Sequence, residues 1–215
     1  MTDKTPRIAA RFPGDMARSL NDAEWAAVKT IEGVEYRRHP NGGGLVAETA
    51  HVDATAFVGL NARVSDEARI CDKASVYDRA HVYGRAGVSD KANVFGHATV
   101  YDEATVYGHA SVFDEARVSG KASVGDKARI FDDASIFDEA RVFSEASVFG
   151  CASVSDGASV FGYARVYGRA RVFDDARVFD DANIFDKASV CGNAIVYGRA
   201  SISGDEEVAA GVRYK

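Results

Sequence analysis

Every sixth residue from Val46 to Val208 is Val or Ile, 28 consecutive positions without an insertion or deletion. A second series runs beside it: every sixth residue from Ala50 to Ala200 is Ala, 26 in a row. The consensus hexad is Val, often Phe or Tyr, Asp or Gly, a polar residue, Ala, and a second polar residue. Val106-Tyr107-Gly108-His109-Ala110-Ser111 is a clear copy. Ala and the following Val lie two residues apart, so in an extended segment they point to the same side. Ala110, Ser111 and Val112 read in, out, in. Asp or Gly followed by a polar residue is turn chemistry. Each hexad therefore predicts one short strand and one corner. A period of six cannot hold an apolar stripe on a 3.6-residue helix. A one-residue slip would turn every Val outward, so the unbroken phase fixes the register. All three prolines, Pro6, Pro13 and Pro40, precede the array, as expected where ladder N–H groups are needed.

The array resembles the hexapeptide-repeat, left-handed parallel β-helix superfamily, in which three hexads make one triangular coil of 18 residues. The resemblance implies an all-β, single-stranded left-handed parallel β-helix of about nine triangular coils. At about 4.8 Å between stacked strands the rod would be about 45 Å long. Each coil would bury only its own Val and Ala ladders and share its core with its neighbours. The hexads depart from those of the acyltransferase members, where Gly commonly follows the aliphatic residue. Here an aromatic often follows it, with Gly or Asp one place later. That variant is similar to uncharacterised hexapeptide-repeat proteins of phages and prophages, as is the lead-in Asn41-Gly42-Gly43-Gly44-Leu45-Val46-Ala47.

The chain divides into residues 1–44, an array at 45–205, and a tail at 206–215. In the first part, Ser19–Lys29 reads as a short helix with Asn21 as N-cap and Glu24 three residues on. Ile31–Arg38 reads as a strand and 39–44 as a turn. This small α/β segment is expected to cap the first coil, or else to bind a partner. At the far end the Ala ladder breaks at Glu206, and Asp205-Glu206-Glu207 would discourage end-to-end stacking by charge.

Unfolding the array at 18 residues per coil sorts the residue after each Val by face. One column reads Tyr77, Phe95, Phe113, Phe131, Phe149, Tyr167, Phe185, seven aromatics in successive coils. A second reads Tyr107, Gly125, Phe143, Phe161, Phe179, Tyr197, and a third mixes Tyr83, Tyr101, Phe137 and Phe173 with Ser119 and Ser155. These columns hold 16 of the chain's 22 aromatics, a concentration on lateral positions. Two readings follow. Stacked rings stabilise neighbouring coils, or the seven-ring column is a binding face for self-association or a protein partner. Ring stacking could also serve bases or sugars, but no basic groove in the pattern accompanies it.

The chain carries 26 Lys and Arg against 32 Asp and Glu, a net charge of −6, and the part from residue 46 onward carries −7. That balance argues against direct nucleic-acid binding and leaves an acidic nucleic-acid mimic as a minor alternative, weakened by interspersed Arg. Arg165, Arg171 and Arg177 are expected to pair with neighbouring acids on a solvated surface. No run of about 18 apolar residues encodes a transmembrane helix, and Met1–Ala10 lacks a signal-peptide core. Cys71, Cys151 and Cys191 occupy outward or corner positions without metal-ligand spacing. They fit a reduced, cytoplasmic compartment. His39, His51, His81, His97 and His109 read as polar surface choices. His97 and His109, two hexads apart, fall on different corners. No metal, cofactor or catalytic set is read from the sequence. The expected role is a non-catalytic scaffold or protein-binding module; by resemblance it would be a phage-encoded inhibitor of a host defence complex or a particle component. The rival is a hexapeptide-type acyltransferase with a site between subunits.

Overall fold

The structure is a computed structural model that describes residues 29–215. The predicted helix at Ser19–Lys29 lies outside the described residues except for Lys29, which is the first residue of a strand. From Leu45 the chain is a parallel β-solenoid of about nine turns, with a strand beginning every six residues as far as Glu207, save for the three-residue strand Val212–Tyr214 that follows. Three sheets run its length. Face 1 starts with Leu45–Ala47 and ends with Glu207–Val208; face 2 runs from His51–Val52 to Val212–Tyr214; face 3 runs from Phe57–Val58 to Ser201–Ile202. Every strand of face 3 pairs in parallel with the one 18 residues on, as in Ser111↔Arg129 and Val112↔Ile130. The expected tail contributes the last strands of two sheets, Glu207–Val208 and Val212–Tyr214.

The N-terminal end is closed with antiparallel strands. β1 (Lys29–Ile31) and β2 (Val34–Arg38) form a hairpin around Glu32 and Gly33, both at positive φ (51° and 82°). That backbone is the one two-residue hairpins favour, because it matches the twist of the strands. β2 pairs in turn with β3 (Leu45–Ala47), covering the first edge of face 1. The glycine lead-in covers face 3: Gly44 N–H donates to Val58 O, and Val58 N–H donates to Asn41 O, both at about 3 Å. Phe57 is buried although it sits on the outer side of its strand. Its ring lies under this loop, and a side chain at Gly42 would meet both the ring and Val58 O.

The core is the two sequence ladders. From Ala56 to Val196 every Ala and every Val or Ile of the array is at most 1% exposed, forming one continuous cluster. The corners explain why the chain can turn so sharply every six residues. The 24 positions from Asp66 to Gly204 are 13 Asp, 10 Gly and Ser144, and all 24 have positive φ. In that conformation the Cβ direction points at the next coil: a Cβ built on Gly108 would lie 2.9 Å from the backbone N of Asp126. Asp uses the same direction to place a carboxylate oxygen on the corner N–H of the following coil, a group that makes no backbone bond. Asp90 Oδ2 accepts from Gly108 N at 2.9 Å, Asp102 from Gly120 at 3.1 Å, and Asp132 from Gly150 at 3.0 Å.

The clamp explains the alternation of Asp with Gly. Where Asp precedes Asp the bond is long, 3.4 Å for both Asp72 to Asp90 and Asp156 to Asp174. Between Asp114 and Asp132, and between Asp138 and Asp156, it does not form. Two carboxylates stacked at strand spacing repel each other, whereas Gly offers a bare N–H.

Two substitutions test these assignments. Ala128→Phe should overpack the triangular interior and destabilise the rod by about 1–3 kcal/mol or more in denaturant unfolding. A neutral result would mean that the inward face is misassigned. Asp90→Gly keeps the left-handed corner and loses only the clamp, at roughly 1 kcal/mol. Asp90→Ala adds left-handed strain of about 1–2 kcal/mol, so thermal melts should rank wild type above Gly above Ala.

Candidate functional site

The outer surface follows from the buried ladders. Because Ala74 and Val76 are fully buried, Lys73, Ser75 and Tyr77 alternate outward. Each face is thus three columns wide: a polar residue leaving the corner, the residue before Val, and the residue after Val. The seven-ring column is one edge of face 3.

Its rings stack on one another. Tyr77, Phe95, Phe113, Phe131, Phe149, Tyr167 and Phe185 have successive centroids 4.8–5.2 Å apart and planes within 2–6°. This is the offset-parallel arrangement that aromatic pairs prefer, set by the strand spacing. Tyr77 is buried and the other six are half-buried. The second column holds Phe143, Phe161, Phe179 and Tyr197 in the same way and gains Tyr214, which no hexad count included, at 5.6 Å. The break at Gly125 is filled from below: Tyr107 folds over it, where a Cβ would meet the ring at 2.3 Å. Coil-to-coil stacking is therefore one role of the rings. With ring faces turned to ring faces, what the strip offers a partner is a row of rims.

The arginines correct a second expectation. Arg165, Arg171 and Arg177 lie over rings rather than pairing with acids: Arg165 over Phe149 and Tyr167 at 5.6 and 5.8 Å, Arg171 over Phe173 at 5.1 Å, and Arg177 over Phe161 and Phe179 at 5.8 Å. Arg129 bridges Phe113 and Phe131 in the same way. The guanidinium sits one column from the rings and reaches across, a cation–π contact.

Two histidines and a cysteine are less superficial than the sequence implies. His39 is buried at the N-terminal end, and burial lowers its pKa. His81 accepts or donates one bond to Ser65 Oγ at 2.7 Å and packs on Tyr83 at 4.5 Å. Burial, with Arg63 adding to it and Asp66 opposing, lowers its pKa to about 4. Cys191 is 6% exposed, and burial pushes its thiol up. His51, His97 and His109 are exposed. Among the described residues no group of three or more His, Cys, Asp or Glu is placed to hold a metal ion. None of the helices, there being none among the described residues, is long and apolar enough to cross a membrane.

The corner columns differ in charge. Leaving the corner between faces 1 and 2, the signs alternate from Glu67 through Arg85 and Glu103 to Lys121 and Glu139, and Arg85 touches both Glu67 (3.2 Å) and Glu103 (3.7 Å). Leaving the corner between faces 2 and 3, four successive coils present Lys73, Lys91, His109 and Lys127, followed by Glu145, Tyr163 and Asp181. Lys127 meets Glu145 at 3.0 Å where the sign changes. Face 3 therefore carries the ring ladder on one edge and this divided column on the other. Its open recess of about 680 Å³ is lined by Lys73, Lys91 and His109 with Thr55, Asp72, Asp90 and Gly108.

Against known proteins, a family model described as the YdcK beta-solenoid repeat matches residues 164–180, just under one coil. No curated protein matches the chain.

His81 gives a pH dependence with a defined sign. Its folded pKa lies below its unfolded value of 6.5, so the unfolded chain takes up the proton first. The stability tied to neutral His81 is complete above pH 6.5 and falls as pH drops from 6.5 towards 4. Thermal melts between pH 7 and 5 should show a smaller loss for His81→Gln than for wild type. Parallel curves would mean that His81 titrates normally in the fold.

Proposed function

We propose that this protein is a non-catalytic scaffold that works through its lateral surfaces and self-associates along face 3. The observation that carries this reading is the seven-ring strip, which runs unbroken over seven coils on one edge of one face. The other two columns are interrupted by Gly125 and by Ser119 and Ser155. The rims of half-buried rings form a long, narrow apolar band, the longest unbroken one among the three ring columns, and such bands mark interfaces. The even cross-section of the rod supports a scaffold over an acyltransferase: strands follow one another every six residues from His51 to Ser201 with no extruded loop. His97 and His109, both exposed, leave different corners.

The test is a double substitution at the centre of the strip, Phe113→Ser with Phe131→Ser, read by sedimentation with far-UV circular dichroism as a folding control. Wild type should sediment as a closed oligomer at micromolar concentration, and the variant as a folded monomer. A wild-type monomer would overturn self-association and leave the strip to coil stacking or to a different protein partner.

A further inference from the structure

We infer that the partner of face 3 is a second copy of the same face, packed antiparallel about a two-fold axis that passes between the coil of Lys127, Arg129 and Phe131 and the coil of Glu145, Ser147 and Phe149. This rests on the self-association proposed above and adds its geometry. The argument comes from the order of charges along the face. In its first four full coils the outward residues are Lys73, Ser75, Tyr77; Lys91, Asn93, Phe95; His109, Ser111, Phe113; and Lys127, Arg129, Phe131, with no acid among them. The next coils bring Glu145 and Asp181 into the same column. Lys91, Lys127, Glu145 and Asp181 are all exposed. Within these three columns the cations lie in one half and the acids in the other, an order complementary to itself only when inverted; the corner aspartates Asp72, Asp90 and Asp126 beside the lysines turn a carboxylate oxygen along the rod to the next coil's corner N–H.

The inverted register can be read column by column. A two-fold axis lying across the face keeps each column opposite its own reverse. Lys127 then meets Glu145 of the second copy and Lys91 meets its Asp181, each twice by symmetry. The remaining pair in that stretch is neutral: His109 opposite Tyr163, which is 60% exposed. In the middle column Arg129 meets Ser147, Ser111 meets Arg165, and Asn93 meets Asn183, so no arginine opposes another. In the ring column Phe131 meets Phe149, Phe113 meets Tyr167, and Phe95 meets Phe185. Only the outermost pair, Lys73 with Arg199, joins like charges.

Other arrangements are worse. Sliding the copies by one coil places Lys127 and Arg129 each on its own symmetry mate in one direction. In the other direction it places Glu145 on itself and Arg129 on Arg165. Sliding by two coils halves the ion pairs. A parallel two-fold pair puts Arg129 on Arg129 and Arg165 on Arg165 along the whole contact. Like charges brought together across an interface are the usual means by which wrong registers are rejected.

The face is shaped for such a contact. Its rings repeat evenly, with centroids 4.8–5.2 Å apart from coil to coil. Among the described residues, face 3 is also the sheet that carries no additional strand, all nine of its strands being part of the parallel array. Ser75 and Tyr77 of the first coil are buried, so the contact is made by the six coils from Lys91 to Asp181, roughly 29 by 13 Å from strand dimensions. That buries on the order of 800 Å² in total, the size of a weak, reversible association.

Charge reversal tests the register. Lys91→Asp and Asp181→Lys, singly, each set like charges against each other twice per dimer and should weaken association at least tenfold in sedimentation equilibrium. The double variant Lys91→Asp, Asp181→Lys restores opposite charges and should recover most of that loss. Cysteine trapping reads the geometry without relying on energetics. Under mild oxidation a mixture of Asn93→Cys and Asn183→Cys chains should give the cross-linked heterodimer. Asn93→Cys alone should remain uncross-linked, because its copies lie five coils apart, about 24 Å at strand spacing. Cross-linking of Asn93→Cys with itself, or a double variant no tighter than the single ones, would overturn the antiparallel register while a dimeric wild type left self-association standing. A monomeric wild type would overturn both.

Discussion

The left-handed corner is the constraint on which the rest of the structure depends. A chain that must turn every six residues needs a residue at positive φ each time, and 24 successive corners meet that need with Asp, Gly or one Ser. The turn leaves an N–H pointing along the rod with no backbone acceptor. Where the corner of the coil before is Asp, its carboxylate supplies one in most coils. At those corners conformation and coil stacking are satisfied by the same side chain, and these ties reinforce the 18-residue register that the parallel strand pairs set. Net burial in each coil is small, two methyl-sized columns per face, so the fold relies on repeating a modest contact many times.

The rings add a second set of axial contacts outside the core. Their spacing is not a property of aromatic attraction; it is the strand spacing, and the offset stack is the arrangement that fits it. Arginines laid over the rings complete a skin in which cation, ring and carboxylate each have a fixed column. Ion pairs of the ordinary surface kind, such as Lys127 with Glu145 and Arg85 with Glu67, decorate this skin and contribute little each.

Most of the fold was legible because the period was unbroken. Two residues per hexad reported the inside, and the Asp or Gly between them reported the corner, so one strand and one corner per hexad followed from counting; three hexads to a coil, and with them the three faces and the membership of each column, came from the resemblance. What counting could not show was contact between neighbours in different columns. That Arg165 covers Phe149 and not an acid depends on which column the guanidinium can reach. His81 looked superficial because its position is outward; Ser65, sixteen residues earlier, and the ring of Tyr83 half-bury it. The hairpin of β1 and β2 carried a readable sign in Glu32-Gly33, a turn that splits the stretch read as one strand. The direction of the ring faces, which decides what the ladder can bind, has no signature in composition at all.

The six-residue step and the eighteen-residue coil set different rules for change in length. Gain or loss of a single hexad would keep every Val and Ala inside, since the core phase has a period of six. It would also carry all later residues one face around the rod. The seven rings would be cut and continued on another edge, and Lys73 to Lys127 would no longer share a column with Glu145 and Asp181. Interior and exterior thus obey different arithmetic. A lineage could lengthen the rod by thirds of a turn at little cost to folding, while anything written on its sides survives only in whole turns.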